Sequence, residues 1–331
     1  MKKLLCLLLL LLFVPQLSAC NNGKMKIAIV KLGTHLSLDE INTAIINKLN
    51  EQIGDDKNYE IEEYNANFNM DTASQIMKSI KNDASLVIAI ATPIAQAAYN
   101  SLNEDTPIIF AAVSDPVAAG LVKDINNPSE NITGTSDAIQ IDLILDKALE
   151  IDPELKTLGF IYNPNEDNSV SNLAKIQNYC TKNNITLNAR GIMNASEMSE
   201  VANVLATKVD AMFVTDDNTV ASSMQALSDI CIQNNIPCYA GADSLVKDGG
   251  MLGIGINYTN LGIKTAEFAL DVLDGKKISE LPIYVFDTNL DTYVNMEYLS
   301  LTTITIPSNI LDTAIKVNNE EWLKWSLIQL L

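Results

Sequence analysis

An alternation of short apolar runs and amphipathic helical segments begins at residue 25 and starts over near residue 157, which leaves few folds open to this chain. In the first pass, residues 26–30, 59–64, 86–90 and 107–111 read as strands. Between them, residues 38–53 carry Leu38, Ile41, Ile45 and Leu49 at helical spacing. Residues 71–81 turn Ala73, Ile76, Met77 and Ile80 to one side, and a further helix opens at Thr92-Pro93. The second pass supplies a strand at 157–162, a helix at 169–183, and strands at 186–191, 210–214 and 235–241. Pro107 and Pro237 hold matching places, 130 residues apart. The expectation is α/β: two similar doubly wound parallel-sheet lobes joined by a multi-strand hinge. The crossings fall near residues 133–138, 253–258 and 286–289. Lobe 1 is then 25–135 plus 258–286, lobe 2 is 136–257 plus 287–317, and 318–331 form a C-terminal tail carrying Trp322 and Trp325.

The N-terminus has the order of an export signal: Lys2 and Lys3, an eleven-residue apolar run from Leu4 to Val14, then Leu17-Ser18-Ala19-Cys20. The run is short for a bilayer core of about 30 Å. Leu-Ser-Ala-Cys resembles the bacterial lipobox, which implies removal of residues 1–19, a lipid on Cys20 and a tether over 20–24. The chain is thereby expected outside the cytoplasm as a cell-membrane lipoprotein, held to the membrane through that lipid only. A formal net charge of −19 argues against a nucleic-acid partner, because an acidic surface repels phosphate. With one histidine in the chain, a Cys/His zinc site is not expected, nor is any other metal or cofactor. Cys180, Cys231 and Cys238 stand either as buried thiols or with Cys231 and Cys238 paired.

In open α/β sheets, ligands bind beyond the carboxyl ends of the strands, and two facing lobes put those ends across one cleft. The polar residues at these ends are Thr34 and His35, Thr92, Ser114 and Asp115, Asn163 to Ser169 including Asn168, Asp216 to Thr219 including Asp217 and Asn218, and Asp243 with Ser244. The crossings add Thr135, Ser136, Asp137, Asn257 and Tyr258. Singly, each reads as an ordinary helix cap. Gathered at one edge, they read as a binding site. No GxSxG elbow, P-loop or GxGxxG is present, so an enzyme is not expected.

Five segments, at residues 91–96 (Ala-Thr-Pro-Ile-Ala-Gln), 113–120 (Val-Ser-Asp-Pro-Val-Ala-Ala-Gly), 131–137 (Asn-Ile-Thr-Gly-Thr-Ser-Asp), 162–166 (Tyr-Asn-Pro-Asn-Glu) and 217–220 (Asp-Asn-Thr-Val), occur in this order. They resemble the ABC-transporter substrate-binding proteins of the tryptophan/tyrosine-binding type, over residues 26–317. Gly33-Thr34-His35-Leu36 departs from the Val-Glu-His-Pro-like stretch common in that family. The resemblance implies a type I periplasmic-binding-protein fold, a monomer delivering solute to ABC permease subunits, and an aromatic amino acid as ligand. Its carboxylate would meet Thr92 with neighbouring N–H groups and Ser114 or Ser136. Its ammonium would meet Asp217, or else Asp137 or Asp243, and Tyr258 would serve as an aromatic wall. A sensory binding lipoprotein for another small polar solute is the alternative expectation.

Overall fold

A computed structural model describes residues 24–53, 58–128, 131–288 and 290–318. The expected signal segment 1–19, Cys20 and the two tail tryptophans lie outside them. The first pass of the alternation is β1 (Met25–Lys31), α1 (Leu36–Ile53), β2 (Tyr59–Asn65), α2 (Met70–Ile80), β3 (Ala84–Ile90), α3 (Thr92–Ser101), β4 (Ile108–Ala111) and β5 (Ile132–Ser136). The second is α4 (Ile141–Ile151), β6 (Thr157–Tyr162), α5 (Asp167–Lys182), β7 (Thr186–Gly191), α6 (Met198–Ala206), β8 (Ala211–Val214), α7 (Asn218–Ala221), α8 (Met224–Gln233), β9 (Cys238–Ala240), α9 (Asp243–Lys247) and β10 (Leu252–Gly255). The chain then continues as α10 (Tyr258–Leu273), β11 (Tyr284–Val285), β12 (Asp291–Asn295), α11 (Met296–Ser300), α12 (Ser308–Leu311) and β13 (Ile315–Val317).

Two sheets result. The first runs β11-β5-β4-β3-β1-β2, with every pairing parallel. Its inner strands are continuous apolar runs: Ile27 to Val30, Leu86 to Ile90 and Ile108 to Ala111 are all buried. Helices cover both faces of a parallel sheet, so its strands carry no polar side. Edge strand β2 has Glu60, Glu62 and Glu63, the charges that discourage further pairing. The second sheet runs β13-β12-β10-β9-β8-β6-β7. It is parallel except at β10–β12, which pair antiparallel because β12 returns from the first sheet through β11. Parallel pairing throughout was the expectation for both lobes, and that one strand departs from it.

In each sheet the first strand of its pass lies between the second and the third: β2-β1-β3 in one, β7-β6-β8 in the other. Connections therefore leave in opposite directions at that point, and a crevice opens beyond the strand ends. Helix α10 crosses back from the second sheet and packs on α1 in the first. Gly262 permits this approach, since a Cβ there would sit 2.6 Å from the Ile41 carbonyl oxygen and 2.7 Å from the Ala44 methyl. Among the described residues, no helix is long and apolar enough to cross a membrane. Cys180, Cys231 and Cys238 are buried free thiols.

Candidate functional site

The two crevices face each other across a narrow cavity of about 20 Å³, well below the roughly 300–1,000 Å³ of small-molecule sites. Each lining residue follows a strand end. His35, Ser37, Leu38 and Ile41 follow β1; Ala91 follows β3; Ala112 follows β4; Asp137 follows β5. From the other side come Asn168 after β6, Asp216, Asn218 and Ala221 after β8, Leu245 after β9 and Tyr258 after β10. Ala91 and Ala112 both have positive φ, 83° and 54°. A methyl-bearing residue is strained there, and such strain gathers at functional sites.

The cavity is acidic. Asp137, directly after β5 of the first sheet, and Asp216, after β8 of the second, share Ser114, whose hydroxyl is bonded to both, at 2.9 Å in the case of Asp137. The Tyr258 hydroxyl donates to the second Asp137 oxygen at 2.9 Å, and Asn172 Nδ2 donates to Asp216 at 2.5 Å. Burial pushes the Asp137 carboxyl above the ordinary carboxylate range, with the Tyr258 and Ser114 hydrogen bonds pulling the other way. Burial, reinforced by the charge of Asp137, pushes Asp216 well above it. No lysine or arginine lines the cavity among the described residues. The remaining walls are Leu38, Ile41, Ala91, Ala112, Ala221 and Leu245, beside the first turn of the 18-residue helix α1.

Of the residues singled out in the sequence, His35, Asp137, Asn168, Asn218 and Tyr258 line this cavity. Ser114 stands behind it as the bridge between the two aspartates, and Ser136 donates to the Ser114 carbonyl at 3.3 Å. Thr92 is buried but does not line the cavity and does not cap its helix; the capping position of α3 is Ala91. Asp217 is fully buried and committed to structure. It accepts from Asn163 N at 2.6 Å, Ser169 Oγ at 2.7 Å and Val220 N at 2.9 Å, and so caps α7. Asp243 pairs with Lys247 at 2.9 Å, and Asn257 caps α10 while donating to Asp243 at 3.2 Å. Asp115 accepts from Ser171 at 2.8 Å across the lobes, with Lys175 at 3.6 Å. Burial opposes its charge, yet the Ala118 N–H, Ser171 and Lys175 hold its carboxyl below the usual range. Sequence reading favoured Asp217 over its neighbour Asp216, which is the one that lines the cavity, and nothing in the residue types marked Ala91 or Ala112.

The lobes meet through further pairs: Ser37 with Ser244 at 2.7 Å, Lys247 with Glu40 at 2.8 Å, Gln96 with Asp167 at 2.7 Å and His35 with Asn218 at 3.2 Å. Residues 26–318 match the family model of ABC transporter substrate binding proteins. A tyrosine-binding protein from Clostridioides difficile is 37% identical over 269 residues, 81% of this chain and 78% of that protein. The ABC domain from Streptococcus pneumonia solved in complex with L-Trp superposes with a TM-score of 0.84 at 31% identity, over 89% of this chain and 100% of that one. The ligand-free, open structure of a substrate-binding protein with adhesive properties from Clostridium difficile, 36% identical over the same shares of each chain, superposes at 0.68.

Proposed function

Since this chain belongs to the family of ABC transporter substrate-binding proteins, we propose that it captures an aromatic L-amino acid between its lobes for an importer. The observation that carries the reading is the Asp137–Asp216 pair facing a cavity whose other walls are mainly apolar. The single hydroxyl proton of Ser114 can serve only one of the two buried carboxyls, so the pair needs a further proton or a cation, and an ammonium group is small enough to meet both. Removing the ammonium's partners would leave a buried charge unpaired, at a cost of several kcal/mol. The carboxylate end is assigned to the first turn of α1, where Ser37 and Leu38 line the cavity and helix N–H groups favour an anion. The side chain then lies against Leu38, Ile41, Ala221 and Leu245. The ligands named for the tyrosine-binding relative and the L-Trp complex support this class. Thr92, Asp217 and Asp243, candidates in the sequence, take supporting roles in this assignment.

The same reading makes residues 25–135 with 258–286, and 136–257 with 287–317, two bodies that close on the ligand. The higher superposition on the L-Trp complex than on the open, ligand-free relative supports a closed arrangement here. We further propose that the protein works outside the cytoplasm, tethered through a lipid on Cys20 and delivering solute to ABC permease subunits. Calorimetry of ligand-stripped protein with tryptophan, tyrosine and phenylalanine tests the ligand class; if no amino acid binds, the class is wrong. Cys20→Ser tests the anchor: the variant is expected in the soluble fraction or as uncleaved precursor, and normal processing with full membrane retention contradicts a lipid anchor.

A further inference from the structure

His35 is the only histidine in the chain, and a relay of hydrogen bonds sets which of its ring nitrogens carries the proton. Glu166 is the anchor of that relay. Its two oxygens accept from the backbone N–H groups of Asn218 and Thr219, each at 3.1 Å, and from the Thr219 hydroxyl at 2.9 Å. Backbone donors admit no reversal, so both Glu166 oxygens accept; burial and the charge of Asp217 push its carboxyl up to about 7, and above that pH neither oxygen carries a proton to donate. The group 2.6 Å from Glu166 must therefore be the amide NH2 of Asn218, which turns the Asn218 carbonyl oxygen toward His35 Nε2 at 3.2 Å. Nε2 is then the N–H donor, and Nδ1 of the neutral ring is a bare acceptor. That Nδ1 is sealed from solvent and has no hydrogen-bond partner, although His35 lines the cavity. Burial pushes the imidazole down to about 4, so the ring stays neutral at ordinary pH. Phe68 stacks on the ring, centroids 6.3 Å apart, and holds its plane. Asn168 repeats the theme: its NH2 donates to the Asp216 carbonyl at 3.1 Å, and its buried Oδ1, also without a partner, belongs to a cavity residue.

We propose that His35 Nδ1 is a specificity element which accepts a hydrogen bond from the ligand's side chain and so selects aromatic amino acids bearing an O–H or N–H over phenylalanine. This rests on the amino-acid reading of the cavity. Asp137 and Asp216 take the ammonium, and the charges that act on the His35 ring are instead Asp39 and Lys31. The ligand's carboxylate, itself an acceptor, cannot pair with a bare Nδ1, so the group left to meet the ring is a side-chain O–H or N–H. A phenol or indole donor satisfies Nδ1, whereas a phenyl ring leaves a desolvated acceptor unpaired. Sites that hydrogen-bond a substrate O–H or N–H reject analogues that lack it far more strongly than apolar pockets reject a change in size.

Two measurements test this. In calorimetry, tyrosine or tryptophan is expected to bind wild type at least tenfold more tightly than phenylalanine. His35→Leu should weaken the favoured ligand by roughly ten- to a hundredfold and leave phenylalanine unchanged or improved. His35→Gln, which retains an acceptor, should recover part of the preference. Protein labelled with 15N-histidine gives one imidazole, whose spectrum should report the Nε2–H tautomer. Its Nδ1 signal should shift with tyrosine or tryptophan and stay in place with phenylalanine. Equal affinity for all three ligands, or an equal loss for all three in His35→Leu, overturns the proposal while leaving the amino-acid reading intact. Absence of binding by any amino acid removes that reading and this proposal together.

Discussion

Asp216 and Asp217 are adjacent, both buried, and different in what their carboxylates do. Asp217 accepts three hydrogen bonds within its own lobe, and Asp216 faces the cavity opposite Asp137. Asp216→Asn is expected to weaken amino-acid binding by ten- to a hundredfold, the equivalent of about 1.5–3 kcal/mol for a charge-assisted bond, without lowering the melting temperature. Asp217→Ala is expected to cost about 1–3 kcal/mol of stability through the lost cap and unpaired donors, with the affinity of the folded fraction unchanged. Melts beside calorimetry separate the two effects. The acidic pair also has a pH signature. Asp137 and Asp216 titrate above the ordinary range when folded, chiefly because they are buried. The folded ligand-free chain therefore keeps protons that the unfolded chain has already released. The contribution of this pair to stability falls as pH rises from the ordinary carboxylate range through the raised folded values. An ammonium favours the ionised pair, so binding should release protons and weaken on acidification. Calorimetry in buffers of different ionisation enthalpy counts those protons, and zero release contradicts the assignment of the ammonium to this pair.

Helices and strands set these side chains through their ends. Ala91 sits between β3 and α3 at φ 83° and ψ 151°, a conformation that favours glycine. Ala91→Gly is expected to raise stability by about 1 kcal/mol through relief of that strain, read from urea melts; an unchanged or lower stability would mean that the methyl packs well enough to outweigh it. The α1–α10 contact depends on a missing side chain in the opposite way. Gly262→Val would drive two methyls into the backbone of Ile41, so a loss of about 1–3 kcal/mol is expected. The periodicity of α1 was legible because its buried residues Leu38, Ile41, Ala44, Ile45 and Leu49 follow one helical face. Its contact with α10 was not legible, because the two segments lie over 200 residues apart and each reads as an ordinary amphipathic helix.

At the scale of the molecule, the two sheets share three chain crossings among the described residues. Hydrogen bonds and ion pairs between the lobes range from the exposed Gln96–Asp167 through the part-buried Lys247–Glu40 to the buried Ser37–Ser244. An exposed pair such as Gln96–Asp167 contributes little, about 0–1 kcal/mol, and a ligand held between the lobes as proposed would add to the difference between open and closed forms. Small-angle scattering is expected to give a smaller radius of gyration for the saturated protein than for the stripped one. An unchanged radius, with binding verified in the same sample, argues against a hinge motion.

The sequence by itself determined the repeated βα alternation, the family resemblance, the acidic surface, and the set of polar residues at strand ends from which the site is drawn. These are local or additive properties: periodicity, composition and short motifs survive without knowledge of what lies opposite. Only the tertiary structure decided among the members of that set. Asp137 and Asp216 lie 79 positions apart and become a pair because one hydroxyl bridges them across the cleft. Asp217, one position on, turns back into its own lobe to cap α7. His35 finds its hydrogen-bond partner in Asn218, 183 positions away, whose side chain Glu166 holds in turn. Which carboxylate faces the cavity and which meets backbone depends on strand register and on the facing lobe, and neither is written in the residue types.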